Sequence, residues 1–184
     1  MQRQLVERAQ SGDRAAFSAL VTDILPKLLA TARLILRDEE LAKDAVQEAL
    51  VNAWLDLRTL RDPDKVEAWL YRLLVRACGR SIKGRSFRQL REVVLDLRDG
   101  PVIESASMLA ERDQVERALR RLSPEHRTVL VVRYYLDLRL ADCAQVMAIP
   151  LGTVQSRLTR AMAALRAELE ADERAIGSVR ESVA

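Results

Sequence analysis

Five cations fall on one side of a single helical stretch. At the helical advance of about 100° per residue, Lys65, Arg72, Arg76, Arg80 and Lys83 lie within a band of about 80°. Val66, Leu70, Leu73 and Ala77 take the adjacent face, and Glu67 is the one acid that interrupts the row. A row of this length can follow a phosphate backbone, where each contact releases counterions and makes binding salt-dependent. A solvated charged face would carry the same pattern.

A second group lies near the C-terminal end. Between residues 150 and 166 stand Arg157, Arg160 and Arg166 and no acid. A short helix, a tight connection and a second helix make the pattern of a helix-turn-helix. In the second helix Val154, Leu158, Met162 and Leu165 form an inward stripe, which turns Gln155, Ser156, Thr159 and Arg160 outward. These side chains suit base edges: Gln pairs with adenine, Arg with guanine, and Thr touches a thymine methyl. Thr153 stands where it can cap the helix, beside amides that favour a phosphate. An ordinary antiparallel helix pair is the alternative.

A third group is Asp44, Gln47, Glu48 and Val51, at i, i+3, i+4 and i+7 of a helix and so on one face. Two acids on a polar face suit a basic protein surface, though a plain solvated face would look alike. Nothing points to catalysis. The single histidine, His126, has no nucleophile or metal partner motif, and neither a phosphate-cradling Gly loop nor a nucleophile elbow is present. No catalytic residue, metal or cofactor is expected.

The elements that carry these groups are helices. With 6 Gly and 5 Pro in 184 residues and 49% hydrophobic content, the composition disfavours turn-rich sandwiches and barrels. The net charge of +3 decides little, since binding depends on where the charge sits. Cys78 and Cys143 make neither a metal-spaced cluster nor a disulfide framework, and both fall in apolar patterns that bury free thiols. No apolar run reaches the roughly 20 residues of a membrane span, and the N-terminus lacks the apolar core of a signal peptide. A reducing cytoplasm fits.

The chain divides into residues 1–83, a linker over 84–106, a second unit over 107–170 and a tail over 171–184. Asp13 opens a helix with the stripe Phe17, Leu20, Val21, Ile24 and Leu28, which Pro26 is expected to kink or interrupt. Asp38 opens the next. The loop Arg58–Arg61 follows, then Asp62-Pro63 starts a helix expected to reach about Lys83. In the second unit, Ser123-Pro124-Glu125 begins a helix ending near Leu136. Leu140–Met147 and Thr153–Glu168 are the last two, and the residues from Gly177 are expected to fray.

Taken in order, these segments resemble the sigma-70 superfamily of RNA polymerase sigma factors, in its extracytoplasmic-function group. The resemblance rests on Ser11 to Phe17, Asp44 to Leu50 and Ala68 to Arg72 in the first unit. In the second it rests on Leu122 to Arg127 and Pro150 to Ala161. It implies an all-α protein of two small domains, sigma domain 2 and a domain 4 with a helix-turn-helix, joined by a flexible linker. Asp44, Gln47, Glu48 and Val51 would dock on the clamp helices of the polymerase's largest subunit, and the polymerase's flap region is a further expected contact. Arg58, Thr59, Arg61, Lys65, Arg72, Arg76 and Arg80 would engage the −10 element around a flipped base. Thr153, Gln155, Ser156, Thr159 and Arg160 would read the −35 element, with Arg157 on phosphate.

The resemblance also implies an anti-sigma factor, often membrane-attached, that covers the faces polymerase needs, and no membrane insertion by the chain itself. Three positions depart from the family pattern. Arg139 replaces a capping Ser or Thr, a loss of about 1 kcal/mol unless Asp137 substitutes. Ala148 stands where Gly is usual and would be strained at a positive φ. Gln155 replaces a common Lys or Arg. The alternative is a dimeric helix-turn-helix regulator without polymerase docking; it needs a further exposed apolar stripe for its seam, which the sequence does not display. A helical adaptor that binds only proteins is the third reading.

Overall fold

A computed structural model describes the backbone of residues 2–91 and 108–183. The segment 92–107, most of the expected linker, lies outside the described residues, as does its Asp99-Gly100-Pro101 turn. Every regular element described is helical: α1 (Gln2–Gln10), α2 (Arg14–Leu36), α3 (Glu39–Asp56), α4 (Val66–Arg91), α5 (Met108–Arg121), α6 (Pro124–Leu130), α7 (Leu140–Met147) and α8 (Leu151–Val183).

Local chemistry starts these helices where the sequence predicts. Asp13 accepts from the Ala16 N–H at 3.0 Å and Asp38 from the Leu41 N–H at 3.0 Å. The Ala16 bond, followed by the Arg8 guanidinium, holds the Asp13 carboxyl below the usual range. Ser123 caps α6 by accepting from the His126 N–H. Asp62 accepts from the Asp64 N–H and opens a 3₁₀ turn, Pro63–Lys65, that leads into α4.

Several boundaries differ. Pro26 does not interrupt α2, which runs unbroken to Leu36; the packing of Leu20, Ile24 and Leu28 into the core offsets the hydrogen bond that proline removes. α4 continues past Lys83 to Arg91 through Gly84-Arg85-Ser86, so turn residues alone do not end it. The last turn of the α6 helix widens into a π-helix, Val131–Tyr135. α8 begins at Leu151 and extends past both Glu168 and Gly177 to Val183. Thr153 is therefore inside the helix rather than its cap: its N–H donates to the Pro150 carbonyl at 2.9 Å.

The core of the first unit gathers Leu28, Ile35, Leu57, Leu70 and Leu74; that of the second gathers Val129, Val132 and Val154. Full burial of such side chains stabilises by about 1.5–3 kcal/mol each. Within the second unit, Asp172 of α8, in the stretch read as a tail, is buried and lies 2.5 Å from Arg121 of α5. The two units touch. α7 packs on α4 and α6 on α2, and the buried Arg127 guanidinium donates from Nε to the Ile35 carbonyl at 2.7 Å. Burial pulls its pKa down to about 10.

Candidate functional site

α3 presents Asp44, Gln47, Glu48 and Val51 together, all exposed, as their spacing requires. Beside them the structure opens a groove of about 590 Å³ whose exposed lining is almost wholly apolar. Phe17, Leu25, Leu29, Leu50, Trp54 and Leu55 form it, with Phe17 and Trp54 in edge contact at 5.1 Å. Leu55 is 70% exposed and Val51 53%. Sequence reasoning missed this groove and expected no further exposed apolar stripe. Leu25 and Leu55 sit at helical spacings that a core residue would also occupy, so only the packing of α2 on α3 reveals which are left uncovered.

The cation row does not act as five equal charges. Lys65, Arg76, Arg80 and Lys83 are exposed and Arg72 is half-buried. Arg80 is committed to a partner, with Nη2 2.7 Å from Glu48 Oε1. The Arg72 Nε is buried without a hydrogen-bond partner. Lys65 lies 3.8 Å from Asp62. In the preceding loop, Arg58 donates to the Gln10 carbonyl at 3.1 Å, while the Gln10 side chain donates to the Leu57 and Leu60 carbonyls. Gln10 thus fixes the loop, a role that no local signal displays. Arg61 and Thr59 remain exposed.

In the helix-turn-helix, Gln155, Ser156, Thr159 and Arg160 all face outward from α8, with Val154 and Ala161 buried beneath them. Arg157 turns the other way: it is 21% exposed and pairs with Glu125 at 3.0 Å. The two departures in the turn have the anticipated consequences. Arg139 makes no side-chain cap for α7, and Asp137 does not supply one; it adopts φ 52° and lies 3.7 Å from Arg133. Ala148 ends α7 in the left-handed region at φ 54°, ψ 44°.

Both thiols are buried and unpaired, and burial pushes Cys78 up to about 12 and Cys143 above its ordinary value. Among the described residues, no group of His, Cys, Asp or Glu could hold a metal ion, and no helix is long and apolar enough to cross a membrane.

Two helical units, one with an acidic face beside an apolar groove and the other with a helix-turn-helix, define a modular all-α protein. The family profile "Sigma-70 region 2" matches residues 20–88 and "Sigma-70, region 4" matches residues 112–165. The sigma-H factor of Pseudomonas aeruginosa is 32% identical over 91% of this chain and 93% of its own. The extracytoplasmic-function sigma factor SigM of Mycobacterium tuberculosis is 33% identical over 88% of this chain and 81% of its own. Among solved structures, CnrH in complex with the cytosolic domain of CnrY is similar at 28% identity and a TM-score of 0.66, over 93% of this chain and 98% of that one. The chain belongs to the sigma-70 family of RNA polymerase sigma factors, in its extracytoplasmic-function group. The matches span both units, so a dimeric regulator without polymerase docking is not favoured.

Proposed function

We propose that this chain binds core RNA polymerase through α3 and directs it to promoters by reading a −10 element with the first unit and a −35 element with the second. The carrying observation is that two surfaces of different chemistry are exposed on one chain: an acidic face bordering an apolar groove, and the outward row of Gln155, Ser156, Thr159 and Arg160. Asp44, Gln47, Glu48 and Val51 supply the docking contacts, and the groove beside them adds apolar area to the same interface.

For the −10 element, Arg61, Lys65, Arg72 and Arg76 are the strongest candidates, with Thr59 beside them. Arg58 orders the loop through Gln10, and Arg80 reaches phosphate only by leaving Glu48. For the −35 element, Gln155, Ser156, Thr159 and Arg160 face the bases, Thr153 lies at the helix start, and Arg157 must exchange Glu125 for phosphate. The units are read as residues 1–83 and 107–170, with 84–106 between them and 171–184 beyond. The protein acts in the cytoplasm without chemistry of its own, restrained by an anti-sigma factor. That restraint is supported by CnrH, solved with the cytosolic domain of CnrY, and by RpoE of Bartonella quintana, solved with the anti-sigma factor NepR.

Reconstitution with core polymerase and a pool of promoter DNA, followed by sequencing of the transcripts, tests the proposal. Transcripts sharing two spaced upstream elements are expected. Output no different from core enzyme alone would overturn it.

A further inference from the structure

The loop that carries Thr59 and Arg61 is held from outside itself. Its own backbone closes two separate turns, the Leu60 N–H on the Leu57 carbonyl at 3.1 Å and the Lys65 N–H on the Asp62 carbonyl at 3.0 Å, with Arg61 between them. Leu57 and Leu60 are buried, while Thr59 and Arg61 are exposed. The aim of those two exposed side chains therefore depends on how the Leu57–Leu60 turn is seated and on how it stands relative to the Pro63–Lys65 turn.

α1 fixes both. At its C-terminal end the Gln10 amide nitrogen donates to the Leu60 carbonyl at 2.8 Å and to the Leu57 carbonyl at 3.0 Å, which uses both of its N–H groups. The Gln10 carbonyl, in the last turn of α1 where carbonyls lack a helical partner, accepts from Arg58 Nε at 3.1 Å. At the other end Arg3 makes a two-point contact with the Asp64 carboxylate, Nη2 to Oδ2 at 2.5 Å and Nε to Oδ1 at 3.3 Å. Gln2 reaches Glu67 at 3.2 Å. Arg3, Val6 and Gln10 stand at i, i+3 and i+7, on one face of the helix, and the buried Val6 and Ala9 seat α1 on the first unit. At about 1.5 Å of rise per residue, the two attachments lie about 10 Å apart along the axis, one on each turn.

We propose that α1 is a splint for this loop and that Gln10 is a positioning residue for −10 recognition: by gripping the Leu57 and Leu60 carbonyls it sets the aim of Thr59 and Arg61 at the captured base. Hydrogen bonds to a base edge discriminate through the placement of donors and acceptors, and a loop ordered beforehand loses less freedom on binding. Gln10 and Arg3 both lie outside residues 20–88, the span that matches the region 2 profile. The bracing stands on these contacts; its meaning for promoter choice rests on the −10 reading of Thr59 and Arg61.

Holoenzyme assembled from core polymerase and the full chain tests the splint. The probes are one promoter recovered from the pool described above and its single-base variants across the −10 and −35 elements, and the rate of open-complex formation is read on each. With the wild-type chain the least tolerated −10 substitution should slow opening about tenfold or more, and with Gln10→Ala by no more than about threefold, while −35 substitutions are penalised as before. Gln10→Lys, which keeps N–H donors at similar reach, should restore the wild-type ratio. A −10 ratio in Gln10→Ala equal to wild type overturns the splint. So does slower opening on every probe alike, the mark of a role in stability alone, or a Gln10→Lys chain as indifferent as Gln10→Ala. Should Gln10→Ala lose helicity by circular dichroism, Arg3→Ala, which cuts the exposed attachment at the other end, decides in the same way.

A chain carrying both Thr59→Ala and Arg61→Ala separates the two claims. A −10 ratio that falls there but holds in Gln10→Ala refutes the splint alone. A ratio that holds in both refutes the −10 reading of the loop, and the splint's role in promoter choice with it.

Discussion

Arg80 Nη2 lies 2.7 Å from Glu48 Oε1, so the acidic face of α3 and the cation row of α4 share an ion pair. Both side chains are about half exposed, and such a surface pair contributes little to stability. Its consequence under the proposed function is for binding: if polymerase engages Glu48, Arg80 is released for DNA. Glu48→Gln should therefore steepen the salt dependence of duplex binding by the free chain, by about one unit of log–log slope. Titrations across a salt series measure it, and an unchanged slope would mean that Arg80 never reaches phosphate.

Arg160 is exposed and faces outward, whereas Arg157 is held by Glu125. Arg160→Ala should weaken binding to the −35 element by about 1–3 kcal/mol and relax preference at one base. Arg157→Ala should weaken binding evenly across sequences. Competition binding with single-base variants of the preferred duplex separates the two effects.

Arg76 is exposed and Arg72 half-buried on the same row. Replacing both with Ala should weaken open-complex formation and lower its salt slope by about one unit for each phosphate that is no longer neutralised. Open-complex footprinting at several salt concentrations reads this, and an unaltered slope would exclude both arginines from the DNA backbone.

The turn of the helix-turn-helix carries two local costs. Ala148→Gly relieves a left-handed alanine and should stabilise by roughly 0.5–1 kcal/mol, net of the greater chain freedom of Gly. Arg139→Ser supplies the missing cap of α7 and should add about 1 kcal/mol. The temperature of thermal unfolding should rise by about 2 °C or more for each.

Cys78 is buried and its pKa is raised to about 12. A group with a raised folded-state pKa contributes stability that is complete below its ordinary value and is lost as pH climbs through the folded one. Stability should fall across the window from about 9 to about 12, the ordinary and folded thiol values. Cys78→Ala should flatten that fall, although it costs stability at neutral pH through poorer packing. Melting temperatures measured from about pH 8 to about pH 11 provide the check.

Features set by a few adjacent residues are legible in the sequence. Asp13, Asp38 and Ser123 cap the helices that their positions predict, because a cap needs only a side chain and an amide two or three residues on. The positive φ of Ala148 and the uncapped start at Arg139 follow in the same way. Interactions between distant segments are not legible. Nothing local links Arg80 to Glu48, Arg157 to Glu125 or Gln10 to the Leu57 carbonyl. The apolar groove is hidden for a related reason, since Leu25 and Leu55 look like core until α2 and α3 are packed. The far end of α8 is hidden too, because its buried anchor, Asp172, finds Arg121 only in the folded unit.

The most direct measurement is association of the purified full chain with core RNA polymerase. Wild-type protein should co-elute with core enzyme, and the combined Asp44→Ala, Gln47→Ala, Glu48→Ala variant should not, with its circular dichroism unchanged. A wild-type chain that fails to associate, or a variant that associates as well as wild type, contradicts the assignment of α3 as the docking face.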